Sequence, residues 1–306
     1  MTPDLSITIA GVTFANPIMT ASGCCGYGEE LSGVFLLQKL GAIVTKSITL
    51  KPREGHPPPR TAETASGMLN AIGLANVGLE RFIEEKIPFL SQQKTKVIVN
   101  VAGTTLAEYV EICSRLNDCE RVDMIELNIS CPNVDEGGME FGSNPALTEQ
   151  SVAAVKKVFS RPVIAKLSPN VTEIAAIARA AEQGGADALS LINSLVGITI
   201  DIETWQPTLT NNRGGLTGPA IKPIALAMVD AVHNASRLPI IGIGGIAGYD
   251  DVVEFLLCGA TAVQVGTALF IEPAAPVRIL RDLTAYMKRK KLTSIADLVG
   301  KVRKYP

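Results

Sequence analysis

Short β-rich apolar runs alternate with helical patterns from one end of this chain to the other, and that alternation constrains its fold more than any single motif. The runs cover residues 18–22, 43–47, 97–101, 124–128, 163–167, 188–192, 240–243 and 262–265. Helical patterns cover residues 106–116, 145–159, 174–184, 221–232 and 250–258, and Gly41-Ala42, Gly185-Ala186 and Gly259-Ala260 repeat one stop signal ahead of a strand. A glycine that closes a helix just before the next strand is the punctuation of β/α units. Such units pair their strands in parallel through helical crossovers, and about eight of them are what a closed barrel needs. The expectation is an α/β chain, a (β/α)8 TIM barrel forming one domain over residues 1–306, with its active site at the C-terminal rim of the strands. A doubly wound open sheet is the alternative.

Composition narrows the function classes. With 306 residues, 47% hydrophobic and 19% charged, the chain can bury a large core, which excludes a disordered or fibrous protein. A net charge of −2 gives no footprint for nucleic acid. The basic run Lys288-Arg289-Lys290-Lys291 closes a helical pattern, where cations complement the helix dipole. The start, Met1-Thr2-Pro3-Asp4-Leu5, lacks the basic and apolar regions of a signal peptide, and no apolar stretch approaches the roughly 20 residues that span a bilayer. A cytoplasmic protein is expected. Six cysteines occur without a C-x-x-C pair, so neither a disulfide framework nor a zinc or iron–sulfur ligand set is visible, and no metal is expected in this chain. His56 and His233 are its two histidines, which argues against Ser-His-Asp catalysis and against a histidine metal site. Another residue type must move protons.

The chain-end sides of the runs carry the functional pattern. In order they deliver Ser22, Lys46 with Ser47, Asn100, Asn128 with Cys131, Lys166, Asn193 with Ser194, Gly244-Gly245 and Gly266-Thr267. Chance would scatter polar groups over both ends of a barrel, whereas barrel enzymes collect them at the C-terminal face. The glycine segments 241–246 and 265–268 offer unobstructed backbone N–H groups after the last two strands, where such barrels hold phosphate. Gly242-x-Gly244-x-x-Ala247 also fits a loose dinucleotide fingerprint, but it comes too late in the chain, so a mononucleotide cofactor is the better reading. Lys46 and Lys166 each end an apolar run and call for anionic partners, since an isolated buried ammonium is costly. A reduced flavin has that demand. Cys131 stands between Asn128 and Asn133, where Pro132 stops the strand and the two amides suit a planar, amide-rich ligand. Long connections at 49–76, after Cys131 and at 197–219 read as lids or binding loops.

Taken together, Thr45-Lys46-Ser47, Asn70-Ala71-Ile72-Gly73-Leu74, Asn128-Ile129-Ser130-Cys131-Pro132-Asn133, Lys166-Leu167-Ser168-Pro169-Asn170, Gly214-Gly215-Leu216-Thr217-Gly218 and Gly242-Ile243-Gly244-Gly245 closely resemble the dihydroorotate dehydrogenases. The resemblance runs in order over essentially the whole chain. It implies an FMN-containing barrel that oxidises dihydroorotate to orotate in pyrimidine biosynthesis. Cys131 stands where the membrane-bound, quinone-using branch has a serine base, and the chain starts directly at the barrel, so it is similar to a cytosolic class 1 enzyme. Residues 51–55, 167–171 and 218–223 resemble the class 1B catalytic subunit. That implies a second subunit carrying FAD and a [2Fe–2S] cluster, NAD+ as final acceptor, and a homodimer of this chain joined by two copies of that subunit.

By the same resemblance Cys131 is the base. Lys46, Asn70, Ala71, Ile72, Gly73, Leu74, Asn128, Asn133, Asn193 and Ser194 hold substrate. Ser22, Lys46, Ser47, Asn100, Asn128, Lys166, Ile192, Gly218, Gly244, Gly245, Gly266 and Thr267 hold FMN. The chain departs from the family pattern at Leu269, where Asn is expected, and at Arg213, which replaces a smaller residue. The alternatives are a stand-alone fumarate-dependent class 1 enzyme, a dihydropyrimidine-type oxidoreductase and a phosphate-binding scaffold subunit.

Overall fold

The computed structural model describes residues 3–130 and 140–305, and the backbone of residues 132–133 and 139. Eight of its strands are β1 (Ile18–Thr20), β2 (Ala42–Val44), β3 (Lys96–Val101), β4 (Met124–Asn128), β5 (Val163–Lys166), β6 (Ala188–Leu191), β7 (Ile240–Ile243) and β8 (Ala260–Val265). Each pairs in parallel with the next, and β8 pairs with β1, so the sheet closes into a barrel and the open-sheet alternative falls away. The crossovers hold α1 (Glu29–Ser32), α2 (the consecutive segments Gly78–Arg81, Phe82–Lys86 and Ile87–Ser91), α3 (Leu106–Asn117), α4 (Pro145–Lys156), α5 (Ile174–Gln183), α6 (Lys222–His233) and α7 (Tyr249–Leu257), and α8 (Ala275–Lys290) follows β8.

Why these residues form these elements follows from burial on two sides. A barrel strand faces the interior with one set of side chains and the helical layer with the other, so it reads as a continuous apolar run. Val97, Ile98 and Val99 of β3 all have no solvent exposure. The helices bury one stripe: in α5 it is Ile174, Ile177, Ala178 and Ala181, spaced three and four residues apart. Local chemistry sets the helix starts. The Thr105 side chain accepts from the Glu108 N–H to begin α3, and the Asn144 side chain accepts from the Ala146 and Leu147 N–H groups ahead of Pro145 to begin α4.

Two parts of the architecture depart from the sequence reading. An antiparallel hairpin, Ile7–Ile9 with Val12–Phe14, precedes β1 and buries Ile9 and Phe14 completely. The segments expected to be long loops instead supply a four-stranded antiparallel sheet at the rim, ordered Leu195–Gly197, Gly214–Thr217, Gly67–Asn70 and Thr61–Thr64. Glycine is a poor strand former, which hid these strands, but close approach demands it here. A Cβ on Gly215 would lie 2.0 Å from Ser194 Oγ, and one on Gly214 would lie 2.6 Å from Leu209 Cδ1. Among the described residues no helix is long and apolar enough to cross a membrane.

Gly242 seats α7 on the barrel. A Cβ there would meet Phe255 Cδ1 at 2.4 Å, and Phe255 is fully buried. Gly242→Val is expected to lower unfolding free energy by about 1–3 kcal/mol, read as a reduced midpoint in urea titration; an unchanged midpoint would mean that α7 yields without cost.

Candidate active site

A cavity of about 990 Å³ opens at the C-terminal rim of the strands. Its wall holds Lys46, Asn70, Ala71, Ile72, Gly73, Leu74, Asn128, Asn193 and Ser194 from the expected substrate set. From the expected cofactor set it holds Ser22, Ser47, Lys166, Ile192, Gly218, Gly244, Gly245, Gly266 and Thr267. Asn100 has no solvent exposure and does not line the cavity; its amide lies one step below. Cys131 lies outside the described residues, as does the Asn133 side chain. Residues 128 and 130, which precede Cys131, both face the cavity.

Beneath the cavity lies a buried polar network that sequence reasoning passed over. Glu126 of β4 has no solvent exposure. Its Oε1 accepts from Asn100 Nδ2 at 2.7 Å, and its Oε2 accepts from Ser190 Oγ at 2.8 Å and Gln264 Nε2 at 2.6 Å. Lys166 Nζ lies 3.5 Å from Oε1 and donates to Ser22 Oγ at 2.8 Å. Ser47 Oγ donates to Asn100 Oδ1 at 2.5 Å. Five barrel strands, β3, β4, β5, β6 and β8, thus converge on one carboxylate. A charged residue in the middle of the apolar run Met124-Ile125-Glu126-Leu127 was the signal that could have found it.

Rim segments fix the remaining side chains. The 70–74 segment is tied to the preceding loop by Ala71 N–H to Arg60 O at 2.8 Å, His56 N–H to Ile72 O at 3.1 Å and His56 Nδ1 to Ala71 O at 3.0 Å. Asn128 is oriented from both sides: its carbonyl accepts from Tyr109 Oη at 2.6 Å and its Oδ1 from Asn193 Nδ2 at 3.1 Å. With Oδ1 engaged as acceptor, the Asn128 side-chain N–H groups remain for a ligand. At the other side of the cavity, Gly218 (φ 92°) and Gly245 (φ 74°) sit in the left-handed region and pack so closely that a Cβ on Gly245 would lie 2.9 Å from Gly218 O. Lys222 pairs with Asp251 at 2.7 Å and Glu254 at 2.8 Å, while Asp251 accepts from the Ala247 and Gly248 N–H groups at 2.8 Å each. These bonds hold the turn after β7 in shape.

The electrostatics favour an anionic guest. Burial, and then the nearby Arg60 charge, push the Lys46 ammonium below the usual lysine range, and among the described residues no carboxylate pairs with it. Arg53 adds a further cation to the wall. Cys24 also lines the cavity, but burial raises its pKa to about 11, so it is a neutral thiol near pH 7. Burial likewise raises the Glu140 carboxyl above its ordinary value, partly offset by a Ser168 hydroxyl. Gln264 Oε1 and Ser130 Oγ, both on cavity-lining residues, are buried without a hydrogen-bond partner among the described residues.

Comparison with known proteins places this geometry. The sequence model of the family described as Dihydroorotate dehydrogenase matches residues 4–287. The chain belongs to the dihydroorotate dehydrogenase family. It is 52% identical over 298 residues to the dihydroorotate dehydrogenase B (NAD(+)) catalytic subunit of Geobacter sp. (strain M21), covering 97% of this chain and 98% of that protein. Proteins of the same description from Pelobacter propionicus and Alkaliphilus oremlandii are each 51% identical, over 98% of this chain and 99% of theirs. In this member of the family the cavity combines a cationic side at Lys46, an amide side at Asn70, Asn128 and Asn193, and a glycine side at Gly218, Gly244, Gly245 and Gly266.

Because burial lowers the Lys46 pKa from 10.5, the unfolded chain holds its proton more tightly than the folded one. The resulting destabilisation is complete below the folded pKa and vanishes above 10.5. Lys46→Met should therefore raise the thermal midpoint of the ligand-free protein at pH 7, and the gain should shrink as pH approaches 10.5. Melting curves at both pH values check this; a lower midpoint at pH 7 would show that Lys46 is paired in solution.

Proposed function

We propose that this chain is the catalytic subunit of a class 1B dihydroorotate dehydrogenase, oxidising (S)-dihydroorotate to orotate in pyrimidine (UMP) biosynthesis. One observation carries the reading. Apart from Asn100, every expected substrate and cofactor residue whose side chain is described lines the same cavity. Its volume, about 990 Å³, lies at the upper end of ligand pockets and has room for a ring-and-phosphate cofactor with a small substrate beside it.

The residues present fit FMN. Gly218, Gly244, Gly245 and Gly266 line the cavity, and close packing brings backbone to its wall: a Cβ on Gly244 would lie 2.9 Å from Ala225 Cβ and one on Gly218 2.7 Å from Gly67 Cα. Free backbone N–H groups suit a phosphate. Lys166 supplies a cation, and Gln264 Oε1 an acceptor that no described protein donor uses. Ser22, Lys46, Ser47, Asn128, Ile192 and Thr267 line the same cavity, and buried Asn100 completes the expected set. When bound, FMN supplies the acceptor for the hydride leaving substrate C6.

This chain's residues do the rest. Lys46 binds the substrate carboxylate, a role suited to an unpaired, half-buried ammonium. Asn70, Asn128, Asn193 and Ser194 bind the two ring amides through donors and acceptors already oriented by their neighbours, with Asn133 as a further amide. Cys131, as thiolate, takes the C5 proton, and loss of that proton with the C6 hydride leaves the C5=C6 double bond of orotate. A free thiol ionises near pH 8.5, so the reaction should accelerate with pH through the cysteine pKa.

Electrons then pass to a second subunit carrying FAD and a [2Fe–2S] cluster, with NAD+ as final acceptor, in a cytoplasmic complex of two copies of each chain. The relatives' names, which carry NAD(+) and the words catalytic subunit, support NAD+ as acceptor and the existence of a second subunit, and the motifs at 51–55, 167–171 and 218–223 resemble class 1B.

Cys131→Ala should retain flavin while its reduction by dihydroorotate slows about 10²–10⁴-fold and loses its rise with pH. Stopped-flow absorbance of the flavin checks both; a full rate in the variant would remove Cys131 from the mechanism. Reoxidation of the purified complex by NAD+ and not by fumarate is the companion result, and the reverse preference would assign a fumarate-linked enzyme.

A further inference from the structure

We propose that Glu126 is a positioning residue: its carboxylate holds Lys166 and Gln264 in the cavity floor and thereby sets how strongly the site favours a reduced, negatively charged ring. The inference rests on the flavin reading above, which gives Glu126 and Ser190 no role.

Barrel interiors are ordinarily filled by Val, Ile and Leu, and an ionised carboxylate without solvent access costs several kcal/mol unless it is paired and hydrogen-bonded. Glu126 is kept in that position by donors from three other strands, Asn100, Ser190 and Gln264, at 2.6–2.8 Å. Those bonds do not stop at the barrel. Asn100 passes to Ser47, and Gln264 and Lys166 reach the cavity themselves.

The geometry of each contact says what Glu126 does to its neighbour. The Lys166 ammonium stands 3.5 Å from the carboxylate, longer than a charge-assisted hydrogen bond, while it donates to Ser22 at 2.8 Å. Glu126 therefore stabilises the positive charge without saturating its donors. An ionised carboxylate only accepts hydrogen bonds, so the Gln264 amide must turn its Nε2 inward, which leaves Oε1 without a protein donor on a cavity-lining residue. The floor then holds a cation and, beside it, a buried acceptor that no described residue donates to. That pair complements a ring edge that gains negative charge on reduction and carries an N–H group. The Glu126 charge opposes the cation's effect on the ring, and its three donors weaken that opposition.

Glu126→Gln and Ser190→Ala separate this role from a packing role, because they must move one quantity in opposite directions. Neutralising the carboxylate should favour the reduced flavin at least tenfold, an upward shift in midpoint potential of about 30 mV for a two-electron couple. Ser190→Ala withdraws a donor, leaves the carboxylate's charge less compensated beside Lys166 and should lower the potential. Dye-linked reductive titration of each flavin-loaded protein reads the shift, and thermal melting reads stability separately. Opposite shifts support the proposal. An unchanged or lowered potential in Glu126→Gln overturns it, whatever the thermal midpoint does. Should that variant fail to fold with flavin, Ser190→Ala decides: a fall supports the proposal and no change overturns it. A colourless wild-type protein that takes up no added FMN would instead overturn the flavin reading, and this inference with it.

Discussion

A carboxylate with no access to water lies inside the barrel, and the organisation of the site follows from how its charge is satisfied. Glu126 takes hydrogen bonds from side chains on three other strands and stands beside a lysine on a fourth. Removing one partner from such a group leaves an uncompensated polar atom at a cost of about 1–3 kcal/mol, so the set is held together as a unit. Parallel registration makes the convergence possible: Asn100 is paired with Glu126 across β3 and β4, and Lys166 with Ser190 across β5 and β6. The barrel thereby fixes the cavity floor through elements whose positions are determined by closure of the sheet.

Above the floor the construction is different. The walls come from segments following all eight barrel strands, and they are braced by close packing around glycines. Gly215 faces Ser194 with no room for a Cβ, and Gly245 stands against Gly218 in the same way. The rim sheet ties the 61–70 and 195–217 segments together, so Asn70 and Ser194, far apart in sequence, are presented by one surface. A rigid floor with glycine-braced walls suits a site that holds a planar ring against a small planar substrate.

Much of this was legible in the sequence. The eight strands lie where the apolar runs predicted them, because a strand buried on both faces has to be apolar throughout. The rim residues could be read because barrel enzymes gather polar groups at the chain-end side of their strands, and Lys46 and Lys166 stand out after apolar runs. The rim sheet was illegible: its glycines lower strand propensity, and part of the approach that requires them is distant in sequence, as where a Cβ on Gly67 would lie 2.0 Å from Thr217 O. Glu126 and Gln264 were overlooked for another reason. Each is a polar residue flanked by apolar ones within its strand, and its meaning depends on which side chains cross the barrel to meet it, which only closure determines. Lys166 shows both aspects, for a ligand partner was expected and the structure supplies an internal one as well.

The rim cavity is proposed to hold a flavin that dihydroorotate reduces. Anaerobic titration of the purified chain with dihydroorotate, followed by visible absorbance, tests it most directly. Bleaching of a bound flavin at one equivalent of substrate per flavin, with orotate formed in equal amount, is the predicted result. A protein that takes up FMN but keeps its oxidised spectrum under excess dihydroorotate would contradict the account.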